Sequence, residues 1–178
     1  MKGEKVSLDA IKALREKTSA PLNDVRQALA SACGDEAKAM ELLRQRGAAI
    51  AEKRKGHTAG QGRVETYVHH DGRMAAMVEV NCETDFVART SEFIQFCRDV
   101  AVQVAAMGPR YVRKEDAPAG EAQEAEGAVP WLVGQPFVKD PSKTIGELLT
   151  SLIAQTGERV VIRRFVRFTL GDATDRTP

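Results

Sequence analysis

The feature that most constrains this fold is a change in the spacing of apolar residues near residue 60. Before that point, apolar residues recur every three or four positions, which is the period of an amphipathic helix. After it, they alternate with polar residues, as they do along a strand that is buried on one face. Helical signals followed by strand signals are typical of the α+β class.

Three short helices are predicted within residues 1–55. Ser7 can cap the first helix, Pro21 suits the first turn of the second, and Asp35 can cap the third. Gly47 stands where the third helix should end. The inward faces are expected to comprise Leu8, Ile11, Leu14, Leu22, Val25, Leu29, Ala39, Leu42 and Leu43. We expect a small helical bundle, with a basic linker leading out of it.

A β-hairpin is predicted over residues 64–82. Two alternating runs, 64–68 and 74–80, flank the sequence HDGR, and Asp-Gly favours a type I′ turn. In the first run the alternation sets Val64, Thr66 and Val68 apart from their polar neighbours. A β-branched and aromatic run over residues 159–168 predicts a third strand. This strand should join the hairpin, because a two-stranded hairpin is only marginally stable alone.

Two further helices complete the predicted core domain. The sequence TIGE, residues 144–147, fits a capping box that starts one helix, and Gly157 should end it. Residues 115–129 are acidic and lack periodicity, so we expect an exposed mobile loop there. Five apolar residues at helical spacing predict the other helix, which ends at Gly108: Phe93, Phe96, Cys97, Val100 and Val104.

Composition narrows the classes of function. Charged residues make up 29% of the chain and the formal net charge is +1, so no overall field demands a nucleic acid or a membrane. The N-terminal residues lack the apolar region of a signal peptide, and we expect a cytoplasmic protein. The three cysteines have neither CxxC nor Cys/His spacing. We therefore predict no disulfide framework, no metal site and no cofactor.

The predicted C-terminal strand carries an RNA-binding alternative through Arg163, Arg164 and Arg167. Its sequence FVRF matches the end of an RNA-recognition pattern, but the residues before it do not match. Phe165 and Phe168 should point to opposite faces of the strand, so they cannot stack bases on one surface. The run therefore favours a core strand with exposed arginines.

The sequence NCETDFVA, residues 81–88, contains no recognisable catalytic constellation. Cys82 has no neighbouring cation to lower its pKa, and no partner for Glu83 or Asp85 is apparent nearby. From these residues alone, the plainer interpretation is that Asp85 caps a turn and Phe86 fills the core. The strand before them and the helix after them nevertheless place the stretch at an exposed junction.

Four segments of the chain together resemble elongation factor Ts: residues 14–29, 79–90, 135–149 and 159–171. They occur in the family's order, and NCETDFVA is highly specific to it. The resemblance implies a ubiquitin-associated-like three-helix bundle over residues 1–55. It also implies a core domain over residues 56–178, with a small antiparallel sheet packed by helices. A remaining alternative keeps only the bundle as functional, as a binder of ubiquitin-like domains.

The resemblance also implies a function without covalent chemistry. The family is the guanine-nucleotide exchange factor for the GTPase elongation factor Tu. By resemblance, Thr84, Asp85, Phe86 and Val87 (the TDFV segment) dislodge magnesium from that GTPase. Phe86 would wedge between helices of the partner, and loss of the ion would release GDP. Asp85 is expected to hold this wedge in place, by bonding either within its own turn or to the partner.

A second contact with the GTPase is implied for the loop between the first two helices, where Leu22 holds an apolar position. Asn23 stands where a second apolar residue is usual, and Ser19 and Pro21 stand where glycines are common. Residues 115–129 replace a longer helical segment of most members. The chain also ends without the second core half of longer members, and short members tend to pair. We therefore expect a homodimer.

Overall fold

The computed structural model describes residues 6–18, 20–118 and 129–172 of the chain. The helices are α1 (Leu8–Thr18), α2 (Leu22–Ser31), α3 (Glu36–Arg54), α4 (Asp85–Ala88), α5 (Ser91–Met107) and α6 (Ile145–Thr156). The strands are β1 (Gln61–Val68), β2 (Met74–Cys82), β3 (Pro136–Phe137), β4 (Asp140–Thr144) and β5 (Val161–Thr169). Short 3-10 turns lie at Lys114–Asp116 and Leu132–Gly134. The predicted α+β class is confirmed.

The first three helices pack around a small apolar cluster of their own. Leu14, Val25 and Leu29 are its most deeply buried large residues. The prediction that Leu8, Leu22 and Leu42 point inward is wrong, because their exposed fractions are 75%, 55% and 38%. Leu8 and Leu22 each stand at the first residue of a helix.

Helix α3 does not end at Gly47 as predicted but continues to Arg54. A Cβ atom at Gly47 would lie 3.2 Å from Thr150 Cγ2 and 3.4 Å from Ala154 Cβ. The missing side chain therefore lets α3 approach α6 closely, and this packing offsets the roughly 1 kcal/mol that glycine costs inside a helix. Ile50, one turn further on, packs against the core. The division of the chain at residue 55 stays a prediction.

Strands β1, β2 and β5 form an antiparallel sheet with β2 at its centre, as the hairpin and third-strand predictions require. Helix α5 ends at Gly108, which has a left-handed backbone, and α6 runs from the Thr144–Glu147 capping box to Gly157, as predicted. These helices and one face of the sheet enclose the main core: Ala76, Val78, Val80, Cys82, Phe93, Phe96, Cys97, Val100, Val104, Leu132, Ile145, Leu152, Ile153, Val160 and Ile162.

The hairpin turn differs from the predicted type I′. His69 O accepts a hydrogen bond from Gly72 N at 2.8 Å, so His70 and Asp71 are the central residues of the turn. A type I′ turn needs positive φ at both central residues, whereas here only the following Gly72 has one, at +67°. Asp71 Oδ1 accepts from Arg73 N and stabilises the turn locally.

The apolar positions of β1 face away from the helices. Val64 and Val68 have exposed fractions of 59% and 64%, whereas Arg63, Glu65 and Tyr67 are partly buried. The inner face of this edge strand tolerates charge because Arg63 Nε bonds Glu65 Oε2 at 2.6 Å. The alternation predicted the strand correctly, but most of the apolar side chains of β1 lie on the exposed face.

Three points of the sequence analysis are addressed only within the described residues: the acidic loop, metal sites and membrane spans. Most of the acidic 115–129 loop, residues 119–128, lies outside the described residues. Within the described ranges, no three His, Cys, Asp or Glu side chains are grouped to hold a metal ion. Those ranges also contain no helix with the length and apolar character needed to span a membrane.

Candidate partner-binding site

Phe86 has an exposed fraction of 81%. It is the most exposed aromatic residue on the helices that the structure describes. It lies on α4, the single-turn helix between β2 and α5. Thr84 Oγ1 accepts from Val87 N at 3.3 Å and caps α4, and Thr90 Oγ1 accepts from Phe93 N and caps α5. These two caps restrict α4 to one turn. The plainer interpretation, with Asp85 as the cap and Phe86 in the core, is wrong.

The four residues of the TDFV segment have four different environments. Thr84 caps α4, whereas Asp85 Oδ2 pairs with Arg89 Nη2 at 3.1 Å on the helix surface. Phe86 projects into solvent, and Val87 packs against the main core. The segment therefore has an anchored side and a free aromatic side. In the isolated chain Asp85 therefore pairs with Arg89, the residue that follows α4.

Glu158, which precedes β5, holds the start of the TDFV segment. Its Oε2 accepts from Glu83 N at 3.2 Å and from Thr84 N at 3.0 Å, and its Oε1 accepts from Thr84 Oγ1 at 2.6 Å. In return, Glu83 Oε1 accepts from Arg159 N at 2.6 Å. Sequence reasoning missed this exchange. The only available signal was that each glutamate stands at the junction of two elements.

The second oxygen of Glu83 faces the end of α3. Its Oε2 lies 3.0 Å from His57 Nδ1 and 3.4 Å from Arg54 Nη1. The Arg159 guanidinium donates to His57 O and closes the group. The hydrogen bond from Arg159 N, with support from His57 and Arg54, lowers the pKa of Glu83 against the opposing effect of burial. Glu83 is therefore held as a carboxylate among donors.

The cysteine beside the segment has no features of a nucleophile. Cys82 is buried, and burial raises the pKa of its thiol to about 11. Burial likewise raises the pKa of Cys97 to about 12. Both thiols are thus protonated at neutral pH, and Cys82 Sγ donates to Thr84 O at 3.1 Å. The site is an exposed apolar side chain on a fixed support, which suits binding to another protein.

A family model described as "Elongation factor TS" matches residues 4–129. The chain belongs to the elongation factor Ts family. It is 45% identical to the elongation factor Ts of Rubrobacter xylanophilus, over 92% of this chain and 98% of that protein. It is 44% identical to that of Carboxydothermus hydrogenoformans, over 94% and 90% of the two chains. For Caldanaerobacter subterraneus the identity is 40%, over 96% and 100%.

Membership of the elongation factor Ts family makes the chain a translation elongation factor, with a role in protein biosynthesis. The match to the Rubrobacter protein extends over 191 aligned positions, more than the 178 residues of this chain. The alignment therefore contains gaps in this chain, where that relative has residues that this chain lacks.

A second candidate contact of this elongation factor Ts chain is at the start of α2. Leu22 and Asn23 are both exposed there, and Pro21 precedes them without a side-chain capping bond. Ser19 lies outside the described residues. Leu22 therefore presents an apolar side chain to solvent directly after the loop between α1 and α2.

The arginines of the RNA-binding alternative are engaged within the chain. Arg164 Nε bonds Glu79 Oε2 at 2.7 Å, Arg163 Nε lies 3.7 Å from Glu79 Oε1, and Arg167 Nε donates to Ala105 O. Phe165 packs against the main core whereas Phe168 is 68% exposed, so the prediction that they face opposite sides is confirmed. This arrangement does not favour stacking of successive bases on β5.

Proposed function

We propose that this chain is a guanine-nucleotide exchange factor for elongation factor Tu in the cytoplasm, and that it acts by binding rather than by covalent chemistry. The observation that carries the proposal is the exposed ring of Phe86 on a helix whose N-terminal cap, Thr84, is held by Glu158. An aromatic ring that is exposed to water in the free chain can contribute binding free energy when another protein buries it. Burial of such a ring contributes about 1.5–3 kcal/mol.

The proposed mechanism places Phe86 between helices of the GTPase. GDP is held there by a phosphate-binding loop and by Mg²⁺, which neutralises charge on the phosphates. If the wedge moves the elements that support the ion, the ion is lost and the phosphates are bound less tightly. The nucleotide then leaves faster.

Release and rebinding are linked in this mechanism. Because the coupling between two ligands is reciprocal, a factor that weakens GDP binding must itself bind nucleotide-free elongation factor Tu more tightly than the GDP form. Incoming GTP with its ion therefore helps to displace the factor. The favourable free energy of wedge insertion offsets the loss of GDP binding. The free energy of GTP binding then offsets the loss of the wedge contact when the factor leaves.

Each residue of the TDFV segment has a proposed role that matches its environment. Val87 anchors the segment against the main core, and the Thr84 hydroxyl fixes the first turn of α4. Asp85 keeps the exposed surface of α4 ordered through its pair with Arg89. Phe86 alone is left free to enter the partner.

Leu22 is proposed to make a second contact with elongation factor Tu. Its exposure at the start of α2 suits an apolar contact with another protein. Because this contact is separate from the wedge, it should add affinity without changing how the bound nucleotide is released. Asn23, which is polar and also exposed, is expected to limit the size of the contact.

We further propose that two copies of the chain pair through the outer sheet face, defined here as Val64, Thr66, Val68, Ala75, Met77, Val166 and Phe168. Three of its cross-strand pairs are Thr66 with Met77, Met77 with Val166, and Ala75 with Phe168. In the described residues nothing covers Met77, which is 47% exposed, or Phe168. Apolar sheet faces are normally packed against a second layer, and a second copy supplies an identical one.

Nucleotide exchange is tested with elongation factor Tu that carries a fluorescent GDP analogue. The chain should increase the release rate in proportion to its concentration until the GTPase is saturated. The same preparation, mixed with single-stranded RNA at low salt, tests the RNA-binding alternative, since phosphate contacts would appear as salt-dependent binding. Release without acceleration, together with RNA binding, would favour the alternative.

A further inference from the structure

Two glutamates exchange hydrogen bonds between the loop before α4 and the loop before β5. Glu158 accepts from the backbone of residues 83 and 84, and Glu83 accepts from the backbone of Arg159. We propose that Glu158 and Glu83 are positioning residues for nucleotide exchange, because they fix the direction in which Phe86 is presented to the GTPase. This inference rests on the exchange function proposed above.

The TDFV segment needs such support because its helix is very short. A single helical turn is unfavourable by itself, since fixing several residues yields few hydrogen bonds. The direction of Phe86 must therefore be set by contacts outside α4. Among the described residues, Val87 supplies an apolar anchor against the main core, and Thr84 supplies a polar anchor as the cap of α4.

Glu158 acts on Phe86 through the hydroxyl of Thr84. Thr84 Oγ1 donates its proton to Glu158 Oε1 at 2.6 Å, and Thr84 Oγ1 also accepts from Val87 N at 3.3 Å. With its proton directed at Glu158, the hydroxyl presents its lone pairs to the first turn of α4. Glu158 Oε2 holds the two backbone N–H groups immediately before that turn. Loss of Glu158 would free the cap of α4 and leave these donors without their acceptor.

Glu83 ties the same loop to two further elements. Its Oε1 holds Arg159 N at the entry to β5, and its Oε2 lies between His57 and Arg54 at the end of α3. The loop that carries the wedge is therefore clamped from β5 on one side and from α3 on the other. When the partner pushes against Phe86, these hydrogen bonds resist displacement of the loop.

Stability and positioning predict different outcomes for the same change. If Glu158 served only to stabilise the domain, its loss would reduce exchange by the same factor whether or not Phe86 were present. If it positions the wedge, its loss has no further effect once the ring has been removed. A double-mutant cycle between the two residues separates these possibilities.

The experiment compares Glu158→Ala, Glu158→Gln and Glu147→Ala in the GDP-analogue release assay. Glu147 is a matched control, because it also accepts from a threonine N–H, that of Thr144 at 2.8 Å, but at the start of α6. We expect Glu158→Ala to lower the maximal release rate about tenfold or more, since misplacement by 1 Å can cost a hundredfold. Glu158→Gln should recover part of this loss, because its amide oxygen still accepts from Glu83 N and Thr84 N. Glu147→Ala should leave the maximal rate unchanged.

The cycle is completed in the Phe86→Ala background, where Glu158→Ala should change the rate less than twofold. Equal losses in both backgrounds would overturn the positioning role. Hydrogen exchange of the Val87 amide gives a readout independent of the GTPase, and Glu158→Ala should increase its exchange rate. A hydrogen-exchange rate of the Val87 amide that is unchanged in Glu158→Ala would also overturn the inference. If the wild-type chain failed to accelerate release, the proposed function would fail, while the Val87 measurement would still decide whether Glu158 holds α4.

Discussion

Thr84 and Glu158, which are 74 residues apart in the chain, are joined by two hydrogen bonds, of 3.0 Å from Thr84 N and 2.6 Å from Thr84 Oγ1. The exposed ring of Phe86 is two residues further on. The segment that we propose as the partner contact is therefore supported by a long-range contact and not only by its own short helix. Family membership gives the chain its role in translation, and this contact would hold the proposed wedge in place.

Phe86→Ala should lower the second-order rate constant of GDP release about thirtyfold or more. Truncation of a central aromatic residue of an interface costs about 2 kcal/mol or more. Because Phe86 is 81% exposed in the free chain, its free energy of unfolding should change by less than about 0.5 kcal/mol. Release kinetics and urea unfolding measure the two effects. Met107→Ala, a change at a 49% exposed residue of α5, is the control and should preserve exchange. Wild-type kinetics for Phe86→Ala would place the wedge elsewhere.

Leu22→Ala should raise the concentration needed for half-maximal release about three- to tenfold, with the maximal rate unchanged. This follows because Leu22 is proposed to add binding energy away from the wedge, and one apolar contact contributes about 1 kcal/mol. A titration of the factor against the loaded GTPase measures both values. Leu8→Ala is matched, since Leu8 also begins a helix and is 75% exposed. A lower maximal rate for Leu22→Ala would contradict the separation of the two contacts.

Point variants test the N-terminal contact better than deletion of residues 1–55. Helix α3 contributes Ile50 to the main core, and Gly47 packs against α6. Deletion would therefore expose core surface and confuse loss of folding with loss of contact. Leu22→Ala leaves both of these contacts in place.

Met77→Lys should convert a dimer into a monomer without unfolding the chain. Met77 lies in the outer sheet face between Thr66 and Val166, so a lysine there would place an unpaired charge in the interface. A cost of about 3 kcal/mol would raise the dissociation constant about a hundredfold. Light scattering after size-exclusion chromatography gives the mass. Val138→Lys, at a residue that is 41% exposed, should remain dimeric. A monomeric wild-type chain would refute this interface.

The stabilising effect of Glu83 should disappear in acid. The pKa of Glu83 is lowered by the hydrogen bond from Arg159 N and by the nearby His57 and Arg54. Its contribution is therefore complete above the unfolded-state pKa of about 4.3 and is lost as the pH falls through the lower folded-state pKa. The difference in free energy of unfolding between wild type and Glu83→Gln should shrink from pH 5 to pH 3. Urea unfolding at each pH measures it.

The control for this pH series is Glu52→Gln. Glu52 is exposed on α3, and its ion pair with Lys55 lies at the surface, so the substitution should have little effect on stability at each pH. If the difference in free energy of unfolding between wild type and Glu83→Gln widened as the pH fell, the lowered pKa of Glu83 would not explain its stabilising effect.

The elements bounded by local signals could be predicted from the sequence. The capping box at Thr144 and the left-handed glycines Gly108 and Gly157 act within a few residues of themselves, and each ends or begins a helix as expected. The NCETDFVA stretch was placed correctly at the junction between β2 and α5 because both neighbours have strong periodicity.

Features that depend on distant residues were not predictable in the same way. Gly47 resembles a helix stop until α6, about a hundred residues later, is seen to pack against it. The inner face of β1 is polar because Arg63 and Glu65 satisfy each other, so alternation alone gave no indication of which face is buried. The bond between Glu158 and Thr84 has no local signal, since either residue would suit any turn.

Whether this chain releases GDP from elongation factor Tu is measured most directly by the release rate of a fluorescent GDP analogue from the GTPase, with and without the chain. The release rate should rise with the concentration of the wild-type chain and then saturate. The Phe86→Ala variant, equally folded and at equal concentration, should give little acceleration. A release rate that stays at the intrinsic value of the GTPase at saturating wild-type chain would contradict the proposed exchange function.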